Sequence, residues 1–328
     1  MWKSSHVCVL SAWVLIVACV AGSQDLKAAD VFLEATRPDF QKIPIGILGF
    51  KDTALKASQG QRVAQILADD LRRSQIFQVT DFPSLGIQPN GFWKGGPALD
   101  RQLVKQASDH GVGVLVWGSL GMRAEDLILD GYVYDGGADE VVVGKRYAGA
   151  PAVLRLMAHR LADELVFRYT GEQGIARTKI AFVSEQGKGR ELFIMDYDGY
   201  EPRQVTEDRS LNLMPRWSPD RRYLVFTAYR HRTRQDIDMI ELATGKRWTL
   251  VSLPGLNITP SLSPDGTKLA FATSQDGNSE IYVLDLQSRA LERVTFHRGA
   301  DLSPSWSATG REVVFASDRG GGPQLYLM

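Results

Sequence analysis

Cysteine is almost absent from this chain, which has two in 328 residues, Cys8 and Cys19. Both precede residue 20, so a mature form that begins later contains no thiol. Disulfides and cysteine-based zinc sites are thereby excluded for such a form. A thiol-free chain suits an oxidising compartment, where stray thiols would be oxidised.

Neither sign of charge is in excess, because 38 Lys and Arg residues balance 38 Asp and Glu residues. Proteins that bind nucleic acid carry surplus Lys and Arg to neutralise phosphates. Proteins that act on anionic membrane surfaces usually show a similar surplus. The balance therefore argues against nucleic acid and against a membrane surface as the main partner.

Long apolar runs are also lacking, apart from Val7 to Val20 near the N-terminus. That run follows Lys3 and precedes small residues, and its length of about fourteen residues is short for a membrane span. We predict a signal peptide over residues 1–29, cleaved between about 21 and 29, and no direct membrane insertion after its removal. Two alternatives stay open: a retained N-terminal anchor, and a lipid on Cys19 within a lipobox-like segment.

Recognisable catalytic motifs are missing. The sequence contains no G-x-S-x-G elbow, P-loop, dinucleotide fingerprint or H-E-x-x-H. None of the five histidines stands at a recognisable spacing from a nucleophile. Asp196, Glu241 and Asp285 recur once per repeat without a full calcium loop, which favours turn and edge roles. We therefore predict no catalytic residues, no enzyme activity, no cofactor and no metal.

A repeated unit of 44 to 45 residues dominates the second half of the chain. It is clearest in PRWSPDRRYLVFT, PSLSPDGTKLAFA and PSWSATGREVVFA, which begin at Pro215, Pro260 and Pro304. Short apolar runs separated by turn residues, at a period in the forties, are typical of β-propeller blades. Ser263–Gly266 has the residues of a tight turn. Trp217 and Trp306 stand at matching positions of the repeat, and we expect both to pack between blades.

The first half of the chain has a mixed α/β pattern instead. KIPIGILGF indicates a buried strand, and SQGQRVAQILADDLRRS indicates a helix that Ser58 could cap. The last helix has an apolar stripe made of Leu154, Met157, Leu161 and Leu165. We predict an α+β domain over residues 30–172, a linker at 173–178 and an all-β propeller over 179–328.

Several segments resemble the TolB family of the Tol–Pal envelope system in Gram-negative bacteria. They are LADDLRRSQIF, LVWGSL, GKRYAG and, most specifically, AHRLADELVFRYTGEQGIARTKIAFVS across the domain junction. The Ser-Pro-Asp-Gly turns are PD40-type repeats and are less specific. The resemblance implies a six-bladed propeller and a non-enzymatic periplasmic scaffold. Such a scaffold links inner-membrane TolA to the outer-membrane lipoprotein Pal, and supports outer-membrane integrity, cell division and protein transport; other outer-membrane proteins are further partners to consider.

The resemblance also implies two partner-binding regions. The Pal-type partner is expected at the propeller mouth, where the loops entering the innermost strands converge. The candidate residues are Asn212, Met214, Asn257, Thr259 and Asp301. The TolA-type partner is expected at the N-terminal segment, which alternates like a strand that can join a sheet edge. The candidates there are Val31, Phe32, Leu33 and Glu34. For the two asparagines, the alternative is that each one stabilises its own turn.

The second repeat departs from the others in its hairpin. Arg230, Arg232 and Arg234 replace the usual turn residues, and Asp238 stands where the other repeats have Phe or Tyr. One hypothesis is that these arginines contact an acidic partner, and the alternative is a solvated hairpin tip.

Two further function classes stay open, namely an exported propeller that binds a small ligand or glycan, and a propeller accessory to a peptidase. The repeats amount to about three and a half blades, whereas a closed ring needs at least about four. We therefore expect this chain to be a truncated product.

Overall fold

A computed structural model describes residues 41–53, 58–80, 82, 96–186, 189–230 and 235–328. The predicted signal peptide, the candidates Val31, Phe32, Leu33 and Glu34, and the hairpin residues Arg232 and Arg234 lie outside these residues.

The first region alternates strands and helices. Its elements are β1 (Ile43–Asp52), α1 (Gln59–Arg73), β2 (Phe77–Thr80), α2 (Arg101–Asp109), β3 (Val114–Arg123), β4 (Asp126–Asp135), β5 (Glu140–Gly149) and α3 (Leu154–Thr170). In the second region, every regular element of the described residues is a strand. They are β6 (Lys179–Gln186), β7 (Gly189–Asp196), β8 (Arg203–Gln204), β9 (Asn212–Trp217), β10 (Tyr223–Ala228), β11 (Asp236–Glu241), β12 (Arg247–Val251), β13 (Asn257–Leu262), β14 (Lys268–Thr273), β15 (Glu280–Asp285), β16 (Leu291–Arg293), β17 (Asp301–Trp306), β18 (Val313–Ser317) and β19 (Gln324–Leu327).

The first region is a five-stranded sheet in the order β2-β1-β3-β4-β5. Strand β1 runs parallel to β2 and β3, and the remaining pairs are antiparallel. Helices α1 and α3 contribute to one apolar cluster with the sheet, and α2 contributes to a second cluster around Trp117. The predicted α3 stripe is confirmed, since all four of its residues are buried.

The start of α1 differs from the expectation. Ser58 occupies the N-cap position as expected, but it has a φ of 102° and its side chain makes no capping hydrogen bond. The carboxylate of Asp52, at the end of β1, accepts hydrogen bonds from the Gly60 N–H at 2.9 Å and the Ser58 N–H at 3.2 Å. A side chain at Gly60 would lie 1.9 Å from the Phe50 carbonyl oxygen, so the close approach of helix to strand requires glycine.

The strands of the second region form four separate antiparallel sheets. We call them blade 1 (β6–β8), blade 2 (β9–β12), blade 3 (β13–β16) and blade 4 (β17–β19). The predicted fold class, an α/β region followed by propeller blades, is confirmed. The Ser263–Gly266 turn is also structural as predicted, because the Ser263 hydroxyl donates to Asp265 at 2.5 Å and Gly266 has a φ of 74°.

Successive blades pack face to face through alternating residues. On β10, Leu224 and Phe226 join a cluster with residues of blade 1, while Val225 joins a cluster with residues of blade 3. This two-residue alternation follows from strand geometry, in which neighbouring side chains point to opposite faces. The expected tryptophan contacts between blades are present: Trp217 packs on the blade 1–2 cluster, and Trp306 Nε1 donates to Ser261 O at 3.1 Å.

Candidate partner-binding site

The innermost strands of blades 2, 3 and 4 share a bulge at one position. In β9, β13 and β17 the pairing with the next strand skips residues at this point. Met214, Thr259 and Ser303 occupy it, with φ of 56°, 54° and 53°, although none is glycine. Such left-handed residues cost conformational energy and cluster at functional sites, and bulges re-aim side chains. The three bulges therefore mark the inner strands as a candidate site.

The bulge residues are accessible and have apolar neighbours. Met214 is 43% exposed, and Leu211 and Leu256 beside the inner strands are similarly exposed. Ser303 is exposed and Thr259 is half-buried, and the Ser303 N–H lies 3.3 Å from Thr259 Oγ1, so the two bulges are in contact. Sequence reasoning missed Ser303, although a step of one repeat from Thr259 would have found it.

Asn212, Asn257 and Asp301 are fully buried instead of facing the mouth. Asn257 Nδ2 donates to the carbonyl oxygens of Gln235 at 2.8 Å and Leu253 at 2.7 Å. Asp301 accepts from Arg319 Nη2 at 2.7 Å. These side chains bind neighbouring loops, since Gln235 precedes β11 and Arg319 follows β18, so they do more than stabilise their own turns. Direct contact with a partner is not available to them here, so any part in binding would be one of positioning.

Asn212 belongs to a polar network between blades 1 and 2. Its Nδ2 donates to Glu191 Oε2 at 2.9 Å and to Asp208 Oδ1 at 2.6 Å. Arg247 adds bonds to Asp208 at 2.6 Å and to Asn212 Oδ1 at 3.3 Å. Burial alone would raise the pKa of Asp208, but the Asn212 hydrogen bond and the Arg247 charge outweigh it and lower the pKa. Asp208 is therefore ionised at neutral pH.

Arg230 also belongs to this network, because its guanidinium donates to Asp238 Oδ2 at 2.6 Å. Arg247 Nε donates to the same oxygen at 2.6 Å, and Thr249 Oγ1 donates to Asp238 Oδ1 at 2.7 Å. Asp238 is fully buried, so it needs these partners. Arg230 is thus held by an acidic residue of its own chain, although its side chain is 38% exposed, and the acidic-partner contact stays a prediction for the three arginines of the hairpin. We call Glu191, Asp208, Asn212, Arg230, Asp238 and Arg247 the blade 1–2 network.

A cleft of about 700 Å³ lies where α3 meets blade 1. His159 in its wall is buried, with Nδ1 2.6 Å from Asp70 Oδ2 on α1, so it fixes α3 against α1. Donor atoms of His159, Asp196 and Asp198 lie within 4.8 Å of one another and could hold a metal ion. Cations already hold both carboxylates, however, since Lys179 pairs with Asp196 and Arg155 pairs with Asp198.

The fold and the mouth together define a class of protein, in which a small mixed α/β domain precedes propeller blades with an accessible inner face. Residues 166–328 match the model of the TolB beta propeller domain, a PD40 family. Residues 31–97 match the model of the TolB amino-terminal domain. The chain belongs to the TolB family.

Individual relatives agree with this assignment. The Tol-Pal system protein TolB of Desulfosudis oleivorans is 31% identical over 267 residues, which are 80% of this chain and 60% of that protein. The TolB homolog of Chlorobium chlorochromatii is 35% identical over 184 residues, or 56% of this chain and 41% of that protein. The crystal structure of TolB from Acinetobacter baumannii has a TM-score of 0.75 at 27% identity, covering 88% of this chain and 69% of the other.

This chain thus spans less than two thirds of the length of the first two relatives. Within the part of the chain that the structure describes, no helix is both long and apolar enough to cross a membrane.

Proposed function

We propose that this chain is a non-enzymatic scaffold of the Tol–Pal system in the periplasm, linking inner-membrane TolA to the outer-membrane lipoprotein Pal. In this role it supports outer-membrane integrity and constriction during cell division. Membership of the TolB family supports the proposal. The predicted signal peptide and the absence of cysteine beyond Cys19 suit a periplasmic location.

The observation that supports Pal binding most directly is the triple bulge of the inner strands. Met214, Thr259 and Ser303 present side chains at equal positions of three blades. Leu211 and Leu256 add an exposed apolar rim beside them. Accessible apolar anchors surrounded by polar groups are what a protein partner buries at the centre of an interface.

Calorimetry with a purified Pal protein tests this site. We expect Met214→Asp and Thr259→Asp each to weaken binding by tenfold or more, since each places a charge in a buried contact. Leu291→Asp is the matched control, because Leu291 is 40% exposed, close to the 43% of Met214, but lies on the outermost strand of blade 3. Equal affinities for Met214→Asp and Leu291→Asp would contradict the proposed surface.

TolA binding is proposed for the N-terminal segment at Val31, Phe32, Leu33 and Glu34. Deleting residues 30–36 should abolish TolA binding and leave Pal binding unchanged. Retained TolA binding by the deletion variant would exclude this segment.

An acidic contact at Arg232 and Arg234 is tested separately by changing both to Glu. Partner capture should weaken, and its dependence on salt should decrease.

The non-enzymatic role is tested by treating the purified protein with a serine-directed probe. Labelling by the probe would point to a peptidase accessory or hydrolase instead.

A further inference from the structure

We infer that a bridge of side chains from α1 to blade 1 sets the orientation of the α/β domain against the propeller, with His159 as the positioning residue for Arg155. The bridge consists of Asp70 on α1, Arg155 and His159 on α3, and Asp198 and Tyr200 in the turn after β7. Each side chain contacts the next, from Asp70 through His159 and Arg155 to the turn, and α1, α3 and the turn after β7 all contribute.

At the propeller end, Arg155 holds the turn after β7 in two ways. Its guanidinium forms an ion pair with the Asp198 carboxylate, and the two side chains are only 17% and 11% exposed. The guanidinium carbon also lies 3.7 Å from the centroid of the Tyr200 ring. A planar guanidinium can make both contacts at once, which fixes the turn in direction as well as in distance.

At the other end, His159 holds Arg155 and is itself held by α1. His159 Nε2 lies 3.4 Å from Arg155 Nη2, one helical turn along α3. His159 Nδ1 lies 2.6 Å from Asp70 Oδ2, and both side chains are at most 5% exposed. In the tautomer whose proton is on Nδ1, facing the Asp70 carboxylate, the Nε2 lone pair accepts from the Arg155 guanidinium. Asp70 thus orients His159, and His159 orients Arg155.

The linker provides a different anchor between the same two domains. Asp163 on α3 accepts hydrogen bonds from the Ala176 N–H at 2.8 Å and from Arg177 Nε at 2.6 Å. Arg155 and Asp163 are eight residues apart on one helix, which corresponds to about 12 Å along its axis. One anchor would leave the domains free to rotate about it, as at a hinge. A second anchor at this separation restricts that rotation, and the bridge is this second anchor.

The near absence of cysteine makes the inference directly measurable. In the full chain with Cys8 and Cys19 changed to Ser, spin labels at Ser108→Cys on α2 and Gln287→Cys on blade 3 report the distance between the domains. Both positions are exposed. Double electron–electron resonance should give a narrow distance distribution for this parent. Asp198→Asn and His159→Gln should each at least double its width.

Asp196→Asn is the matched control, because Asp196 lies two residues from Asp198 but pairs with Lys179 within blade 1, at 2.5 Å. Its distance distribution should match that of the parent.

A second comparison separates positioning from general destabilisation. In an Arg155→Met background, His159→Gln should add no further width, since its effect passes through Arg155. A helix merely loosened by His159→Gln would broaden the distribution in that background too.

An unchanged width for Asp198→Asn would overturn the inference, as would undiminished broadening by His159→Gln without Arg155. If His159→Gln proves to unfold the α/β domain, Asp198→Asn and Arg155→Met decide the matter by themselves. Narrow distributions in both would then exclude the bridge.

Discussion

The two interfaces of blade 2 differ in chemistry although the strands follow the same repeat. Towards blade 3, the contact is apolar and includes Phe271 and Tyr282. Towards blade 1, the apolar cluster that contains Leu224 and Phe226 is joined by a charged group, because the position equivalent to Tyr282 is Asp238, which binds Arg230 and Arg247. The repeat therefore specifies the backbone of a blade without specifying what its faces are made of.

The comparison also shows that a buried carboxylate is accompanied by hydrogen-bond donors at neighbouring positions. Arg247 stands one repeat before Leu291, and both follow the same β-turn into the outermost strand. In blade 3, where the third strand has Tyr282, the equivalent of Arg247 can be Leu291. In blade 2, the fully buried Asp238 carboxylate requires hydrogen-bond donors such as Arg247. Three predictions test this contrast, and a fourth tests an exposed turn of blade 3.

The largest effect is expected at the apolar interface. Phe271 is fully buried between blades 2 and 3. Changing it to Ala should lower the free energy of unfolding by about 3–5 kcal/mol, because a large cavity replaces the ring. Urea denaturation measures this loss. Phe296→Ala is the control, since Phe296 is 73% exposed and its removal should cost less than about 0.5 kcal/mol.

A smaller loss is expected for Asp238→Ala at the charged part of the interface with blade 1. It leaves Arg230 and Arg247 facing each other without their shared carboxylate, at a cost of about 2–4 kcal/mol, reduced by the partial exposure of both arginines. The double variant Asp238→Tyr, Arg247→Leu copies blade 3. We expect urea denaturation to place it within about 1 kcal/mol of the parent, since apolar replacements of buried ion pairs are often neutral. A double variant as unstable as Asp238→Ala would mean that the network has a function that packing cannot replace.

Asn212→Asp probes the same network through its pH dependence. The new carboxylate would face Glu191 and Asp208, which raises its folded-state pKa above the unfolded value. The penalty is then absent at low pH and appears as pH rises through the raised pKa. We expect a loss of about 1–3 kcal/mol at pH 7 that shrinks towards pH 4, measured by urea midpoints. A penalty independent of pH would exclude carboxylate repulsion as its cause.

The smallest effect is expected at the exposed turn of blade 3. Hydrogen bonds from the Ser263 hydroxyl and from Thr267 lower the pKa of Asp265 from 3.8 to about 2. A lowered pKa contributes stability above the unfolded value, and this contribution is lost as pH falls from about 4 towards 2. Asp265→Asn should therefore flatten the acid side of the stability profile, because it removes at pH 7 the contribution that the parent protein loses only in acid; the loss is small because the turn is exposed. An unaltered slope below pH 4 would show that the turn carboxylate is not linked to acid unfolding.

The sequence predicted the blades well because their signals are local. The period, the turn at Ser263–Gly266 and the contacts of Trp217 and Trp306 all follow from short segments. The direction of Asn212, Asn257 and Asp301 was not predictable in this way. A bulge adds a residue to a strand and redirects the side chains around it, so the inward and outward faces cannot be assigned by counting.

Contacts between distant segments were missed for a related reason. The Asp52 carboxylate caps α1 from the end of a strand, and Asp70 meets His159 from 89 residues away. The Arg230–Asp238 pair was the exception, because its signal was present: an acidic residue at an aromatic position, in the one repeat with an arginine-rich hairpin.

The bulges of the inner strands offer a practical handle for protein engineering. Met214, Thr259 and Ser303 each adopt a backbone conformation that disfavours a side chain by about 1–2 kcal/mol, and each also precedes a proline, which restricts it further. Glycine would relieve the strain at all three positions while removing the side chains that face outward. Substitutions at these three positions could therefore change both the folding stability of the blades and the binding selectivity of the inner strands. Measuring the two properties in the same variants would show how much stability is lost for a given gain in binding.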